Sequence, residues 1–275
     1  MAKLALCIGI NDYPGTDSDL FGCVNDARRW TDELTRRGFA VTTLLNEQAT
    51  RSAMLSAIAA VIHQAVAGDL VVITYSGHGT YVFDTDADEP DGFDEALCPH
   101  DVRTGGRPIV DDELHRLFAA RADGVRLLLV ADSCHSGTVN RDATGTARPR
   151  YLPPARWLAP AVRQKVKPRT FAQADLRKIA PAMEKAVAGE PKAEDDLLLA
   201  GCNEGRNCFS ADAVIDGQAT GAYTHFALQV LATLPAGASY DEWHRQIGTL
   251  LPGGEFDQEP QLKGSAAARA RPVLD

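Results

Sequence analysis

Short apolar runs alternate with helical segments through the first half of the chain. The strand-like runs are Leu4–Ile10, Ala40–Leu45, Leu70–Tyr75 and Val125–Ala131. Between them lie amphipathic or alanine-rich segments typical of helices, at 23–39, 52–69 and 110–120. Because a strand that is followed by a helix pairs in parallel with the next strand, this order predicts a parallel sheet with helices on both faces. Ligands of such sheets bind at the carboxyl ends of the strands.

The second half continues the pattern after a basic interruption. Residues 138–193 contain 12 Lys and Arg against 4 Asp and Glu, which favours either a solvated linker or a segment cut by a protease. Beyond it, 195–203 and 259–264 are typical of strands, and 221–234 and 239–251 of helices. We therefore expect an α/β fold with about six strands in one domain. Its parts would be 1–137, the insertion 138–193, and 194–275.

Composition narrows the classes of function. The formal net charge of -9 argues against a general nucleic-acid binder, which needs a basic face. No apolar run approaches the roughly 20 residues that cross a bilayer, and the first residues lack a secretory cleavage pattern, so a soluble cytoplasmic protein is expected. The six cysteines contain no C-x-x-C pair, which indicates neither a zinc ribbon nor a disulfide framework. All except Cys134 are expected to be buried reduced thiols.

Reactive side chains follow the third and fourth strand-like runs. YSGHG places His78 after one run, and ADSCHSG places Cys134 after the other. A thiol attacks an acyl carbon as the thiolate, which an adjacent imidazole can generate, so the pair predicts a nucleophile and an acid/base. The amides of Gly79 and Cys134 could bind the developing oxyanion.

Other interpretations of these residues remain open. Cys134 alone could be an inert core thiol, and His78 could serve a turn. Zinc binding by His78, His100, Cys134 and His135 lacks an H-E-x-x-H spacing, and a serine hydrolase would need G-x-S-x-G, which is absent from the sequence.

The two motifs resemble those of the metacaspases, the clan that includes the caspases. His78 of YSGHG precedes Cys134 of DSCHSGT by 56 residues. DSCHSG departs, however, from the caspase signature Q-A-C-[RQG]-G. LCIGINDY, GCVNDA, DGFDEALCPHD, VDDEL and GAYTHFAL are similar to further family landmarks and follow in the same order. The resemblance implies a caspase-like three-layer α/β/α sandwich and a cysteine endopeptidase.

The resemblance also implies cleavage after Arg or Lys, with carboxylates in the pocket for the substrate side chain before the cut (S1). The matching residues here are Asp26 and Asp132, with Cys23 and Ser76 lining the pocket. A cationic side chain entering a desolvated pocket requires negative charge, which supports this assignment. Alternatively, Asp26 could be a helix N-terminal charge and Asp132 an orienting group.

Many metacaspases need calcium, and the resemblance places its aspartate ligands at Asp94, Asp111 and Asp112. Eight acidic residues and no Lys or Arg occupy 84–101, which indicates a loop able to gather oxygen ligands. A further family ligand should follow the catalytic cysteine by a few residues. This chain has Arg141 and Asp142 there, so the register slips by one or that ligand is missing. An acidic loop can also be merely solvated.

A peptidase that prefers Arg and Lys could cut its own basic insertion. The candidate sites for self-processing are Arg141, Arg148, Arg150, Arg156, Arg163, Lys165, Lys167 and Arg169. The expected partners are proteins or peptides with Arg or Lys at P1, and not nucleic acid or a membrane. The resemblance favours a monomer over a dimer. The alternative function is a caspase-like interaction module with weak or no proteolysis, since a fold does not fix function.

Overall fold

A computed structural model describes residues 1–83, 93–134, 147–158, 196–202, 210–253 and 256–275. Its strands are β1 (Lys3–Gly9), β2 (Ala40–Leu45), β3 (Leu70–Ser76), β4 (Gly79–Phe83), β5 (Phe93–Leu97), β6 (Ile109–Val110), β7 (Arg126–Asp132), β8 (Arg148–Pro149), β9 (Asp196–Ala200), β10 (Ala211–Ile215), β11 (Gln218–Gly221) and β12 (Gln261–Gly264). Its helices are α1 (Cys23–Arg36), α2 (Arg51–Gln64), α3 (Asp111–Ala119), α4 (Pro154–Trp157), α5 (Ala222–Thr233), α6 (Tyr240–Ile247) and α7 (Ala266–Arg269).

The central sheet has six strands in the order β12-β9-β7-β3-β1-β2. Five of them run parallel, and β12 pairs antiparallel with β9 at one edge. Every residue of β3 is buried, as expected for an apolar strand covered on both faces. The predicted six-stranded, mostly parallel sheet is confirmed.

Two helical layers cover the sheet, each over its own apolar core. On one face, α2 and α3 contribute Met54, Ile58 and Phe118. On the other, α1 and α6 contribute the tryptophans Trp30 and Trp243, whose rings pack edge to face with centroids 6.2 Å apart. Burying a large apolar side chain contributes about 1.5–3 kcal/mol to the stability of the fold. The two cores therefore hold the central sheet, and the strand ends at its edge, in a fixed position. The three-layer α/β/α architecture follows.

Two small sheets flank the carboxyl edge of the central sheet. They are β4-β5-β6 and β11-β10-β8. The expected loop over 84–101 is wrong at 93–97, which form β5, while 84–92 lie outside the described residues. Residues 211–221 form the hairpin of β10 and β11, which the sequence pattern did not predict.

The expectation of a solvated linker is wrong for the part of the insertion that is described, 147–158. Arg150 and Leu152 are 0% exposed, and Tyr151 is 7% exposed. Because a buried guanidinium needs counter-charges, this segment must be part of the folded body rather than a tether. The rest of the insertion lies outside the described residues.

One cysteine departs from the expected reduced state. Cys202, directly after β9, is disulfide-bonded. Cys7, Cys23 and Cys98 are buried and are not part of disulfides, as expected, and Cys134 is likewise buried and free of a disulfide. Cys208 lies outside the described residues. Among the helices that the structure describes, none combines the length and apolar character needed to cross a bilayer.

Candidate active site

Strands β3 and β7 end side by side at the carboxyl edge of the central sheet. Their register pairs Ser76 with Asp132, so His78 and Cys134 each lie two residues beyond a paired position. Parallel pairing thus brings the imidazole and the thiol from distant parts of the sequence to one edge, as the motifs predicted.

Two tyrosine hydroxyls hold the turn that carries the histidine. Tyr75 Oη lies 2.7 Å from the carbonyl oxygen of His78 and 2.9 Å from that of Cys98, so its one hydroxyl proton is shared between the two acceptors. Tyr13 Oη accepts a hydrogen bond from the His78 amide at 2.7 Å. A Cβ on Gly77 would lie 2.6 Å from both hydroxyls, so glycine is required there. The turn is therefore held in place by the side chains of Tyr13 and Tyr75.

The ring of His78 is oriented by a backbone carbonyl. Nε2 lies 2.6 Å from the Ser18 oxygen, so this nitrogen carries the proton and Nδ1 is the acceptor. Among the described residues, Nδ1 has no hydrogen-bond partner. Burial lowers the pKa of His78 to about 4, although the hydrogen bond to the Ser18 oxygen opposes this. The imidazole is neutral at pH 7 and able to accept a proton at Nδ1.

The backbone of Arg150 lies between the two reactive strand ends. Its carbonyl oxygen accepts hydrogen bonds from the Gly79 amide at 2.9 Å and from the Cys134 amide at 3.1 Å. These are the two amides that the sequence suggested for an oxyanion hole. A carbonyl held by two amides, one of them belonging to the cysteine itself, has the geometry that favours attack by that thiol.

The side chain of Arg150 enters an acidic pocket below this carbonyl. Nη2 lies 2.6 Å from Asp26 Oδ2 and 3.0 Å from Asp212 Oδ1. Nη1 lies 3.2 Å from Asp132 Oδ2 and 3.3 Å from the Asp132 carbonyl oxygen. All four side chains are buried. Three carboxylates therefore surround one guanidinium.

Neighbouring groups fix Asp26 in this pocket. Thr220 Oγ1 donates to it at 2.6 Å, and the Gly221 amide lies 3.0 and 3.1 Å from its two oxygens. Desolvation raises the pKa of Asp26 to about 6, although Arg150 opposes this. Burial likewise raises the pKa of the Cys23 thiol beside the pocket. The alternative role of Asp26 as a helix N-terminal charge is compatible, since it lies in the first turn of α1.

Asp132 is bound as tightly from the other side. Thr224 donates to Oδ2 from its amide at 2.9 Å and from its hydroxyl at 2.7 Å, and the Ser210 hydroxyl donates to Oδ1. Ser76, which pairs with Asp132 across β3 and β7, is also buried. The bond from the Thr224 amide fits the alternative role of Asp132 as a group that orients backbone, whereas the His78 ring contacts the Ser18 oxygen.

The segment around Arg150 is bound as an extended chain along both sides of the cleft. Before Arg150, β8 pairs antiparallel with β10, and the Arg150 amide donates to the Ser210 oxygen at 2.8 Å. After it, the Leu152 amide donates to the Gly79 oxygen at 2.9 Å. Extended peptides bind the edges of sheets in this manner. Part of the insertion thus lies across its own cleft, with Arg150 in the acidic pocket.

The remaining predicted residues lie in two other places. Asp94 lies on β5 opposite Val82, and Asp111 and Asp112 begin α3. They have the oxygen chemistry that calcium prefers. Within the described ranges, however, no group of three or more His, Cys, Asp or Glu side chains could hold a metal ion. Arg141 and Asp142 lie outside those ranges, so the calcium site stays a prediction.

The candidates for self-processing also differ in position. Arg148 donates from Nη1 to the Asp19 oxygen at 2.8 Å and lies over the Phe21 ring. Arg156 is exposed, with Asp17 at 3.9 Å. Of the described candidates, Arg150 alone has its carbonyl on the two amides. The other five, Arg141, Arg163, Lys165, Lys167 and Arg169, lie outside the described residues.

Sequence reasoning missed three contributors to the site. Tyr13 and Ser18 belong to the turn-rich segment after β1, and Asp212 belongs to the unpredicted β10. Tyr13 was visible only as part of the landmark LCIGINDY. Ser18 acts through its carbonyl, which has no residue signature. Asp212 became detectable only once β10 was seen to lie beside Arg150.

Comparisons with known proteins place the chain in a family. The sequence profile of the metacaspase peptidase C14 domain matches residues 3–141. Metacaspase-1 of Saccharomyces cerevisiae is 33% identical over 292 residues, which cover 96% of this chain and 66% of that protein, slightly under two thirds. Metacaspase-7 of Arabidopsis thaliana is 42% identical over 147 residues, half of this chain and 35% of that protein. A crystal structure of a Geobacter sulfurreducens protein superposes with a TM-score of 0.72 at 32% identity, covering 100% and 98% of the two chains. This chain belongs to the metacaspase family.

Proposed function

We propose that the chain is a cysteine endopeptidase that cleaves peptide bonds after arginine. One observation carries the proposal: Arg150 has its carbonyl oxygen on two amides beside Cys134 while its guanidinium lies among three carboxylates. An inert core thiol would not require this arrangement. Membership of the metacaspase family supports the same activity.

The reaction uses groups already described. The Cys134 sulfur attacks the carbonyl carbon after Nδ1 of His78 takes its proton, and the amides of Gly79 and Cys134 stabilise the oxyanion. The amine leaves with the proton from His78, and a thioester remains on Cys134. Water then hydrolyses the thioester, and the thiol is restored. The Ser18 oxygen keeps the imidazole in the tautomer that these reaction steps need, with the proton on Nε2.

We propose a preference for Arg over Lys at P1. The two terminal nitrogens of Arg150 contact carboxylates on different elements, Nη2 with Asp26 and Asp212 and Nη1 with Asp132. An ammonium group presents a single nitrogen and cannot span the three carboxylates in the same way. Fluorogenic amides that differ only in Arg or Lys at P1 measure this preference through kcat/KM.

Self-processing is proposed at the bond between Arg150 and Tyr151. The support is the extended pairing on both sides of this bond and its carbonyl in the oxyanion position. Incubation of the intact chain, followed by mass spectrometry of the fragments, tests the assignment. A first cut at another basic residue would contradict it.

Regulation by calcium is a separate proposal. Asp94, Asp111 and Asp112 offer hard oxygen ligands on neighbouring elements, and further ligands would have to come from elsewhere. Calorimetric titration with CaCl2, with MgCl2 as the control ion, tests binding without an activity readout. Asp111→Asn should weaken calcium binding if the proposal holds. A calcium titration of Asp111→Asn that matches that of wild type would rule out calcium binding at these aspartates.

The endopeptidase proposal is tested with the variant Cys134→Ala. We expect wild type to cleave P1-Arg fluorogenic peptides and to ignore P1-Asp peptides, whereas Cys134→Ala cleaves neither. Arg150→Gln serves beside wild type because it removes the residue that occupies the pocket. Rapid cleavage after Asp, or P1-Arg turnover that survives in Cys134→Ala, would contradict the proposal.

A further inference from the structure

The chain on the leaving-group side of the Arg150–Tyr151 bond is anchored in the protein. Tyr151 is 7% exposed, and its ring stacks on Tyr81 of β4 with centroids 6.3 Å apart and planes 14° from parallel. Leu152 is fully buried in the core beneath α2 and α3, and its amide donates to the Gly79 oxygen. An ordinary substrate has no such attachment to the enzyme after the cut.

Two more contacts fix the following residues on the same side. Trp157 Nε1 donates to Thr80 Oγ1 at 2.9 Å, and Arg103 Nη1 donates to the Leu158 oxygen at 2.8 Å. The aromatic stack, the buried leucine and these hydrogen bonds all lie beyond the scissile bond. They would persist if that bond were broken, because none of them involves Arg150.

We infer that residues 148–158 form an internal inhibitor whose scissile bond is cut and resealed, because the leaving amine stays beside the thioester. This inference rests on the proposed function. In the forward step, Cys134 Sγ bonds to the Arg150 carbonyl carbon, the carbon–nitrogen bond breaks, and the Tyr151 nitrogen takes the proton held by His78. In the reverse step, the Tyr151 amine attacks the thioester, the peptide bond re-forms, the thiolate leaves, and the proton returns to it through His78.

The reverse step has a kinetic advantage over hydrolysis. A well-oriented neighbouring nucleophile reacts with an effective concentration of about 10⁵–10⁸ M in favourable cases, which bulk water does not reach. The intact chain therefore persists although it is bound as a substrate. Weakening the anchor at β4 allows the amine to depart, so that water hydrolyses the thioester to the Arg150 carboxylate and the thiol, after which Arg150 can leave the acidic pocket.

The first test traps the thioester with hydroxylamine, a small nucleophile that competes with the Tyr151 amine. Wild type is incubated with and without hydroxylamine, and the fragment ending at Arg150 is followed by intact mass spectrometry. We expect a hydroxamate at Arg150 to accumulate at least tenfold faster than the hydrolysed fragment does without the reagent. Cys134→Ala should give neither product. A rate of cutting that hydroxylamine leaves unchanged would overturn the inference.

The second test loosens the anchor. Tyr81→Ala removes the stacked ring, and we expect the rate of net self-cleavage at Arg150 to rise about tenfold. Tyr81→Phe keeps the ring and should stay within about twofold of wild type. Trp157→Phe, which loses only the hydrogen bond to Thr80, should shift the rate in the same direction as Tyr81→Ala by a smaller factor and serves if Tyr81→Ala does not fold.

A P1-Arg amide without residues after the cut separates the two proposals. If that amide is turned over while Tyr81→Ala and Trp157→Phe slow self-cleavage or leave it unchanged, the internal inhibitor is wrong and the endopeptidase stands. If neither wild type nor Arg150→Gln turns it over, the proposed function fails, and the inference fails with it.

Discussion

In the part of the chain that the structure describes, Arg150 is the cation that contacts the three buried carboxylates, so the charge of the pocket depends on this residue. Removing one partner of a buried ion pair leaves uncompensated charge, which costs about 3–5 kcal/mol. Without the guanidinium, Asp26, Asp132 and Asp212 would repel one another in a desolvated site. The intact fold is therefore stabilised by the same contact that fills the acidic pocket.

We predict that Arg150→Met lowers the free energy of unfolding by about 3 kcal/mol at pH 8. The loss should be smaller at pH 5, because Asp26, whose folded-state pKa is raised, takes up a proton there at little cost, and its ionisation destabilises the fold as pH rises. Urea unfolding at the two pH values measures both effects. Arg156→Met is the control. It removes the exposed ion pair between Arg156 and Asp17, whose atoms lie 3.9 Å apart, and should lower the free energy of unfolding by under about 1 kcal/mol. Equal losses for Arg150→Met at both pH values would argue against the charge account.

The acid limb of the pH profile should follow Asp26 and not His78. The pKa of Asp26 is raised to about 6 even with Arg150 in place, whereas that of His78 is lowered to about 4. Because Asp26 must be ionised to hold a cationic side chain, the protein should lose kcat/KM for P1-Arg amides as the pH falls below a pKa of about 6. Asp26→Asn should remove this limb while lowering the plateau. A limb near pH 4 in wild type would contradict the assignment.

At this scale, motifs predicted the residues that carry reactive atoms near the strand ends. The motifs contain His78, Cys134, Asp26 and Asp132, which in the structure lie around Arg150. Arg150 was one candidate of eight, because composition cannot show which basic residue fits a pocket.

Among the elements, the end of β11 decides the depth of the acidic pocket. A Cβ on Gly221 would collide with the Asp132 carboxylate and with the Arg150 guanidinium, so this glycine forms a pocket wall. The Gly221 amide also donates to Asp26, which keeps the wall fixed. Gly221 thus both ends β11 and forms part of the pocket wall.

We predict that Gly221→Ala reduces kcat/KM for P1-Arg amides at least tenfold, since the methyl group takes the space of the guanidinium. Circular dichroism should show that the variant retains the fold. Gly248→Ala is the matched control, because a Cβ there would be in ordinary contact, 3.4 Å from the Arg245 oxygen, and it should leave activity unchanged. Full activity in Gly221→Ala would show that arginine binds elsewhere.

The strands of the central sheet were predictable and those of the two small sheets were not. The strands β1, β2, β3 and β7 are apolar runs of six or seven residues, and their pattern fixed both type and order. By contrast, β5 (FDEAL) carries two acids, and β10 (ADAVI) and β11 (QATG) are short. These strands are defined by their partners across the small sheets, which no local pattern reveals.

For the whole molecule, the central sheet joins the parts on either side of the proposed cut. The β7 strand precedes Arg150 and β9 follows it, yet they pair over five residues, Leu127 with Asp196 through Ala131 with Ala200. The tryptophans Trp30 and Trp243 also pack together from opposite sides of the cut. Cutting the backbone at residue 150 therefore removes none of these contacts.

We predict that the two fragments stay associated after cleavage at Arg150. Native size-exclusion chromatography should give one peak at the volume of intact Cys134→Ala, and denaturing electrophoresis should resolve two bands. The same column run in concentrated urea is the control, because the sheet is then lost. Fragments that separate under native conditions would contradict the shared core.

The arginine seated in its own pocket also has a consequence for chemical labelling. A reagent that couples an arginyl head group to a thiol-reactive warhead can reach Cys134 in those molecules whose Arg150 side chain has swung out. The labelled fraction would therefore measure how many molecules have Arg150 outside the pocket, and not the total amount of protein.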